Sequence, residues 1–205
     1  MPAADRNAEL DTPKVDPHDT ASAETLLPLP VAEVLAFLDN PERLMRINPQ
    51  LAITSWETMP CGFRLGADNE SNGRRLDTLA TVERHPAGVR MRYAGGLRLA
   101  SDVSVFPHPE GARLVVTDTY PQIEDPLDPR VADVDKSLVS WVAALRSHLL
   151  ARHRWGGHFA WRWWRERFML SMPPRQRRIV RLLLWTTALE FAVFVGLVLA
   201  LRFAS

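Results

Sequence analysis

The stretch Ile179 to Leu201, IVRLLLWTTALEFAVFVGLVLAL, constrains this chain more than any other. Drawn as an α-helix it is about 34 Å long, close to the hydrocarbon thickness of a bilayer. From Phe191 to Leu201 apolar residues cover every face, so no wet side remains for the surface of a soluble protein. Two charges interrupt the run. Arg181 lies near its start and can snorkel to lipid headgroups. Glu190 sits mid-run, where a carboxylate costs about 2.5–3.5 kcal/mol on insertion scales. The apolar stretches on either side outweigh that cost. Glu190 is then protonated or turned toward a second helix, which makes it a candidate contact with a membrane-protein partner. The stretch reads as a single transmembrane helix; its alternative is a buried helix of a soluble protein.

Charge supports the membrane reading. Residues 1–151 carry 15 Lys and Arg against 22 Asp and Glu, a net of −7. Residues 152–205 carry 10 Arg against Glu166 and Glu190, a net of +8. A basic tail on an acidic domain is built to meet something anionic. Arg175, Arg177, Arg178 and Arg181 precede the apolar run and only Arg202 follows it. The positive-inside rule then puts the N-terminal side in the cytoplasm. Met1 to Asp19 is polar and Pro-rich, without the apolar centre of a secretory signal. The expected location is the inner (cytoplasmic) membrane, crossed once, with the N-terminal domain cytoplasmic.

Between domain and helix, Trp155, Trp161, Trp163 and Trp164 alternate with Arg152, Arg154, Arg162, Arg165 and Arg167. As a helix, Trp161, Trp164, Phe168 and Met172 form one stripe, and Phe159, Trp163 and Leu170 a second. Indole rings with arginines beside them suit the headgroup layer, so Trp161, Trp164, Arg165, Arg177 and Arg178 are the expected membrane-interface residues and lipids the expected partner. Packing of this segment on the domain is the alternative. Nucleic acid is not an expected partner, given the apolar helix that follows. Gly156-Gly157 and Pro173-Pro174 should bound the segment.

Upstream, residues 1–21 hold Pro2, Pro13 and Pro17 and almost no bulky apolar side chain, and are expected to be disordered. Ala23 to Pro30 reads as a strand. Val31 to Asp39 reads as a helix with Val31, Val34, Leu35 and Leu38 on one face, and PERLMRI (Pro41–Ile47) as a second. Six strand-like runs follow, punctuated by turn residues: Leu51–Met59, Phe63–Asn69, Arg74–His85, Val89–Ala94, Leu97–Phe106 and Ala112–Tyr120. Gly95-Gly96 suits a two-residue hairpin. The alternation of Val89, Met91 and Tyr93 with Arg90 and Arg92 predicts an antiparallel sheet with one wet face. After a Pro/Asp-rich loop, a long helix is expected from about Ala132 to Arg152. Val134, Leu138, Trp141, Val142, Leu145 and Leu149 form its stripe, with Asp133 and Asp135 in its first turn.

This order, and above all the stretch LPLPVAEVLAFLDNPERLMRINPQLAITSWE, resembles the START-like or SRPBCC superfamily over about Ala23 to Arg152. That superfamily includes polyketide cyclase/dehydrase-like proteins, the major birch-pollen allergen and lipid-transfer START domains. The resemblance implies an α+β helix-grip fold, a seven-stranded antiparallel curved sheet around a long C-terminal helix, here with one transmembrane helix added. The implied organisation is a disordered segment 1–21, a ligand-binding domain 22–152, an Arg/Trp-rich interfacial segment 153–174 and a basic flank with the membrane helix at 175–205.

Such folds leave a cavity between sheet and helix for a hydrophobic small molecule: a lipid, sterol, quinone, isoprenoid, polyketide or aromatic compound. By position, the ligand-cavity candidates are Trp56, Leu65, Met91, Tyr93, Val103, Val116, Asp118, Tyr120, Trp141 and Leu145. The same residues would equally fill a closed core. Asp102, Thr117, Asp118 and Tyr120 are the polar residues of the sheet, and Asp118 with Tyr120 share a face, where they could orient a carbonyl or act as acid and base. No catalytic residue is carried over from the family's cyclases. No metal or cofactor is expected. Cys61 is the only cysteine, the histidines His18, His85, His108, His148, His153 and His158 fall mostly in loops or on exposed helix positions, and no phosphate-loop or HExxH motif is present. Binding of an apolar guest, catalysis on one, and partner recruitment through Glu190 remain three open readings.

Overall fold

β7 (Gly111–Pro121) shows how the sheet is built. Ala112, Leu114, Val116, Asp118 and Tyr120 are buried, while the residues between them reach toward solvent. Period-two alternation of this kind commits one face of a strand to a core. The computed structural model describes residues 18–125 and 127–204. Its other strands are β1 (His18–Leu27), β2 (Leu51–Met59), β3 (Gly62–Asn69), β4 (Arg74–His85), β5 (Gly88–Ala94) and β6 (Ala100–His108). They form one antiparallel seven-stranded sheet in the order β1-β7-β6-β5-β4-β3-β2. Only β1 is out of sequence; it pairs with β7 from His18 opposite Pro121 to Leu27 opposite Ala112. That pairing brings the first described strand beside the end of the meander. Gly111, which starts β7, has φ +133°, and a Cβ there would lie 2.4 Å from the Leu27 carbonyl oxygen. Only glycine fits that crossing.

Helices cover the inner face of the curved sheet. α1 (Val31–Leu38) buries Val34, Phe37 and Leu38, and α2 (Pro41–Ile47) buries Leu44, Met45 and Ile47. Asn40 caps α2 by accepting from the Arg43 amide at 2.9 Å, with Pro41 at the first helical position. The long helix α3 (Leu138–Trp155) lies against β1, β7 and α2. Trp141 is fully buried and its indole N–H donates to the Leu44 carbonyl at 2.9 Å. Asn48 donates to the Ser137 hydroxyl at 2.8 Å, a second buried tie between the α2 end and the α3 start. α4 (Phe159–Arg162), a π-helical turn (Trp163–Met169) and α5 (Pro174–Ala204) complete the chain.

Several expectations need correction. β1 begins at His18, so residues 18–21 are strand rather than disordered; residues 1–17 lie outside the described residues. Pairing with β7 supplies hydrogen bonds that the polar composition does not advertise. The long helix starts at Leu138, not Ala132. Val134 therefore stands outside its stripe, and Asp133 and Asp135 are not in its first turn. Residues 129–133 form a 3-10 turn instead, and Asp135 faces inward to Arg98. The β5–β6 connection runs from Gly95 to Leu99, longer than a two-residue hairpin. Gly95 and Gly96 do take the positive φ values, +98° and +86°, that such a turn demands.

Truncating the anchor of α3 tests this packing. Trp141→Ala should lower unfolding stability by about 3–5 kcal/mol. Trp141→Phe, which keeps most of the volume but leaves the Leu44 carbonyl unpaired, should cost about 1–3 kcal/mol. Urea titration of the detergent-solubilised protein, followed by near-ultraviolet circular dichroism, measures both.

Candidate functional site

The fold brings the expected cavity residues into one interior. Leu65 on β3, Met91 on β5, Val103 on β6, Val116 on β7, and Trp141 and Leu145 on α3 are buried together in a single apolar cluster. Trp56 and Tyr93 sit half-buried at its margin. Trp56 stacks on Phe63, ring centroids 4.2 Å apart, and the pair walls an opening of about 310 Å³ with Asp39, Glu42 and Arg84 also lining it. Tyr93 borders a second, more apolar depression of about 500 Å³ beside Met59, Leu79 and Ala94. Both volumes fall within the range of small-molecule sites.

At the end of β7 the interior turns polar. Asp118 is buried; it accepts from the Ser101 hydroxyl and faces Arg98 Nη1 at 3.3 Å. The same Nη1 lies 3.2 Å from Asp135, whose carboxylate also accepts from the Ser137 amide at 2.8 Å and the Ser71 hydroxyl at 2.9 Å. The Arg98 guanidinium stacks over the Tyr93 ring at 4.8 Å, and the Tyr93 hydroxyl reaches Ser101 at 3.3 Å. Burial works against the charge on Arg98, yet Tyr93, Asp118 and Asp135 more than offset it and hold its pKa above the usual value. Burial also opposes ionisation of Asp135, but Arg98 and the Ser137 and Ser71 donors keep its pKa low. Tyr120 differs from its neighbours: its hydroxyl is buried with no hydrogen-bond partner among the described residues, and burial followed by the Asp118 charge pushes its pKa up. It remains a neutral, buried donor.

Asp118 and Tyr120 thus share a buried face, as their spacing predicts. Arg98, Ser101 and Asp135 are the partners that spacing did not disclose. The available signal was a lone Arg98 between Leu97 and Leu99, just past two glycines.

A third pocket, of about 300 Å³, lies where α2 and α3 meet the C-terminal segment. Met169 and Leu170 of the π-helical turn are buried, Leu170 within the domain core. The Arg/Trp-rich segment therefore packs on the domain along one side. Trp161 and Trp164 are half-buried, Trp161 beside the His148 ring at 6.1 Å and Trp164 against Phe168 at 5.0 Å. Phe159 and Trp163 stay exposed on the other side. Arg165 and Arg177 line the pocket; Arg178 is exposed, also borders it, and pairs with Glu70. His148, expected to be exposed, is only 2% so. Burial, with Arg165, Arg43 and Arg152 nearby, pushes its pKa down to about 3. α5 continues from this pocket. Within Pro174–Phe203 an 18-residue window has a mean hydropathy of 2.1 with none of that window buried, and the helix is long and apolar enough to span a membrane.

No protein-family model and no curated protein matches the sequence. Solved structures do match in shape. The KanY protein superposes with a TM-score of 0.51 at 16% identity, over 65% of this chain and 99% of its own. The fold is the helix grip. A START superfamily protein from Mycobacterium smegmatis matches at 15% identity and TM-score 0.46, over 65% of this chain and 97% of its own. Ara h 8.0201 matches at 18% identity and TM-score 0.46, over 66% and 99%.

His148 makes the helix-grip domain acid-sensitive. An unfolded histidine titrates near 6.5. In the native state His148 stays neutral down to about pH 3. Between those values the unfolded chain takes up a proton that the folded one refuses. Its contribution is therefore fully present above about pH 6.5 and falls away as pH drops, by at most about 1.4 kcal/mol per pH unit. His148→Phe should flatten the stability profile between pH 6.5 and 4, measured by urea unfolding at each pH.

Proposed function

We propose that the protein is a membrane-anchored helix-grip domain that binds, and presents or transfers, a hydrophobic small molecule such as a lipid, quinone or isoprenoid-like compound at the cytoplasmic face. One observation carries this reading: the helix-grip domain runs, through a segment packed on its own surface, into a helix whose apolar stretch none of the described residues covers. Trp185 on that helix is 77% exposed. Exposing such a surface to water is untenable over this length, and a bilayer is the solvent that removes the penalty. Arg175, Arg177, Arg178 and Arg181 on its N-terminal side favour a cytoplasmic domain.

The interior between sheet and helix is apolar with few polar groups, the composition that receives an apolar guest, and the guest would part the packed side chains of Leu65, Met91, Val103 and Leu145 to enter. The Tyr120 hydroxyl, buried and without a partner among the described residues, would donate to the guest's single polar atom. Asp118 is held by Arg98 and Ser101, which favours a binding role over acid–base chemistry for this interior. The opening walled by Trp56 and Phe63 is the access route in this reading.

Purified full-length protein should resist carbonate extraction from membranes and, on solvent extraction, release one apolar compound in fixed proportion. Mass spectrometry should find about 2–10-fold less of that compound with Tyr120→Phe, the worth of one hydrogen bond, while bulk lipid is unchanged. An extract holding only bulk lipid, identical for both proteins, would sink the ligand reading. Recovery in a detergent-free soluble fraction would sink the anchor.

A further inference from the structure

The pocket at the junction of α3, the π-helical turn and α5 has a property the proposed ligand site lacks. Arg165, Arg177 and Arg181 converge on it, and among the described residues no carboxylate pairs with any of them. The nearby acids are already engaged: Glu166 pairs with Arg152, and Glu70 with Arg178. Arg177 is 8% exposed and uses its Nε to donate to the Met172 carbonyl at 2.8 Å. Burial, then repulsion from Arg181, pushes the Arg165 pKa down. Arg177 is buried, Arg165 half-buried and Arg181 exposed at the pocket's edge; like charges gathered and partly desolvated without a counter-charge are unfavourable, and natural sites of this composition take an anion.

Two further observations point the same way. His148 lines the pocket with its Nε2 buried and, among the described residues, without a hydrogen-bond partner. A neutral imidazole at that position can donate to an anionic oxygen without adding to the positive charge. Pro174, the first residue of α5, also borders the pocket, so the positive end of a long helix dipole is directed there. The remaining wall is mostly apolar, from Ile47, Ala143, Ala144, Met169 and Leu170, with Ser147 as its one neutral hydroxyl. One turn further along α5, Ile179 and Leu182 are bare.

We infer that this pocket is a phosphoryl-group site, filled by the headgroup phosphate of an anionic phospholipid in the leaflet that α5 enters. The lipid source, as opposed to free phosphate, rests on the anchoring proposed above. Arg165 and Arg181 clamp the phosphate oxygens, His148 donates from the domain side, and the apolar wall receives the glycerol end. A bound headgroup neutralises the cluster and fixes the domain against the start of its own helix.

The test uses the full-length protein in nanodiscs of phosphatidylcholine alone, of phosphatidylcholine with phosphatidylglycerol, and of phosphatidylcholine with added inorganic phosphate. The readouts are thermal unfolding and retained lipid by native mass spectrometry. Arg165→Gln/Arg181→Gln is compared with Arg167→Gln/Arg175→Gln, which removes the same charge from exposed positions outside the pocket lining. Phosphatidylglycerol should stabilise the wild type and the Arg167/Arg175 variant alike. The Arg165/Arg181 variant should lose about tenfold or more of that affinity, as expected for two charge-assisted hydrogen bonds. Equal losses in both variants would reduce the effect to diffuse attraction and overturn the site. Stabilisation by inorganic phosphate that matches phosphatidylglycerol and depends on Arg165 and Arg181 would support the phosphoryl site and overturn its lipid source. Failure of the protein to insert into nanodiscs would count against the anchor, and the phosphate arm, run in solution, would still decide the pocket.

Discussion

The laying of α3 across the inner face of the sheet is the constraint on which the rest of this molecule depends. A seven-stranded antiparallel sheet has one apolar face, and among the described residues one long helix with two short companions covers most of it. The indole of Trp141, buried and bonded to the Leu44 carbonyl, ties that helix to α2; Asn48 and Ser137 repeat the tie one turn away. Because β1 pairs with β7 and α3 lies against both, the first described strand is held beside that helix. Both ends of the domain thus converge on one helix, and the C-terminal segment leaves from that helix's end.

How far the residues disclosed this arrangement depends on the distance over which each feature is decided. The strands were legible because alternation is local: Leu51–Met59 and Arg74–His85 carry the bounds that their pattern and turn residues mark. The helix α2 was legible for the same reason, with Asn40 and Pro41 at its start. What failed was decided by partners far along the chain. Asp135 sits ahead of α3 facing Arg98 rather than in its first turn, because an ion pair formed across 37 residues outweighs the helical preference of the intervening stretch. His18 to Ala21 look like tail until β7 is placed beside them. His148 lies on an amphipathic helix whose exposed side is covered later by a segment that sequence pattern alone could assign to lipid as readily as to protein.

The candidate site divides in the same way. Membership of the interior by Leu65, Met91, Val103, Val116, Trp141 and Leu145 was legible from strand and helix phase. The polar cluster was half legible: Asp118 and Tyr120 announce themselves by sharing a face, but their inequality does not. One is satisfied by Arg98 and Ser101 and the other is left with a bare hydroxyl, a distinction made by a loop that folds inward at Arg98. The arginines at the head of α5 were read as a flank. The structure adds that Arg177 turns inward with Arg165 rather than outward with Arg178.

The tether between domain and helix is very short. Leu170 is locked in the domain core and Pro174, the first residue of α5, is buried, so only Ser171, Met172 and Pro173 separate them. Even fully drawn out, that leash reaches about 14 Å. With α5 in a bilayer, as proposed, the domain cannot swing across an aqueous gap to a second membrane. On that proposal it would be a stationary dock rather than a ferry, taking up and surrendering its cargo at one and the same leaflet.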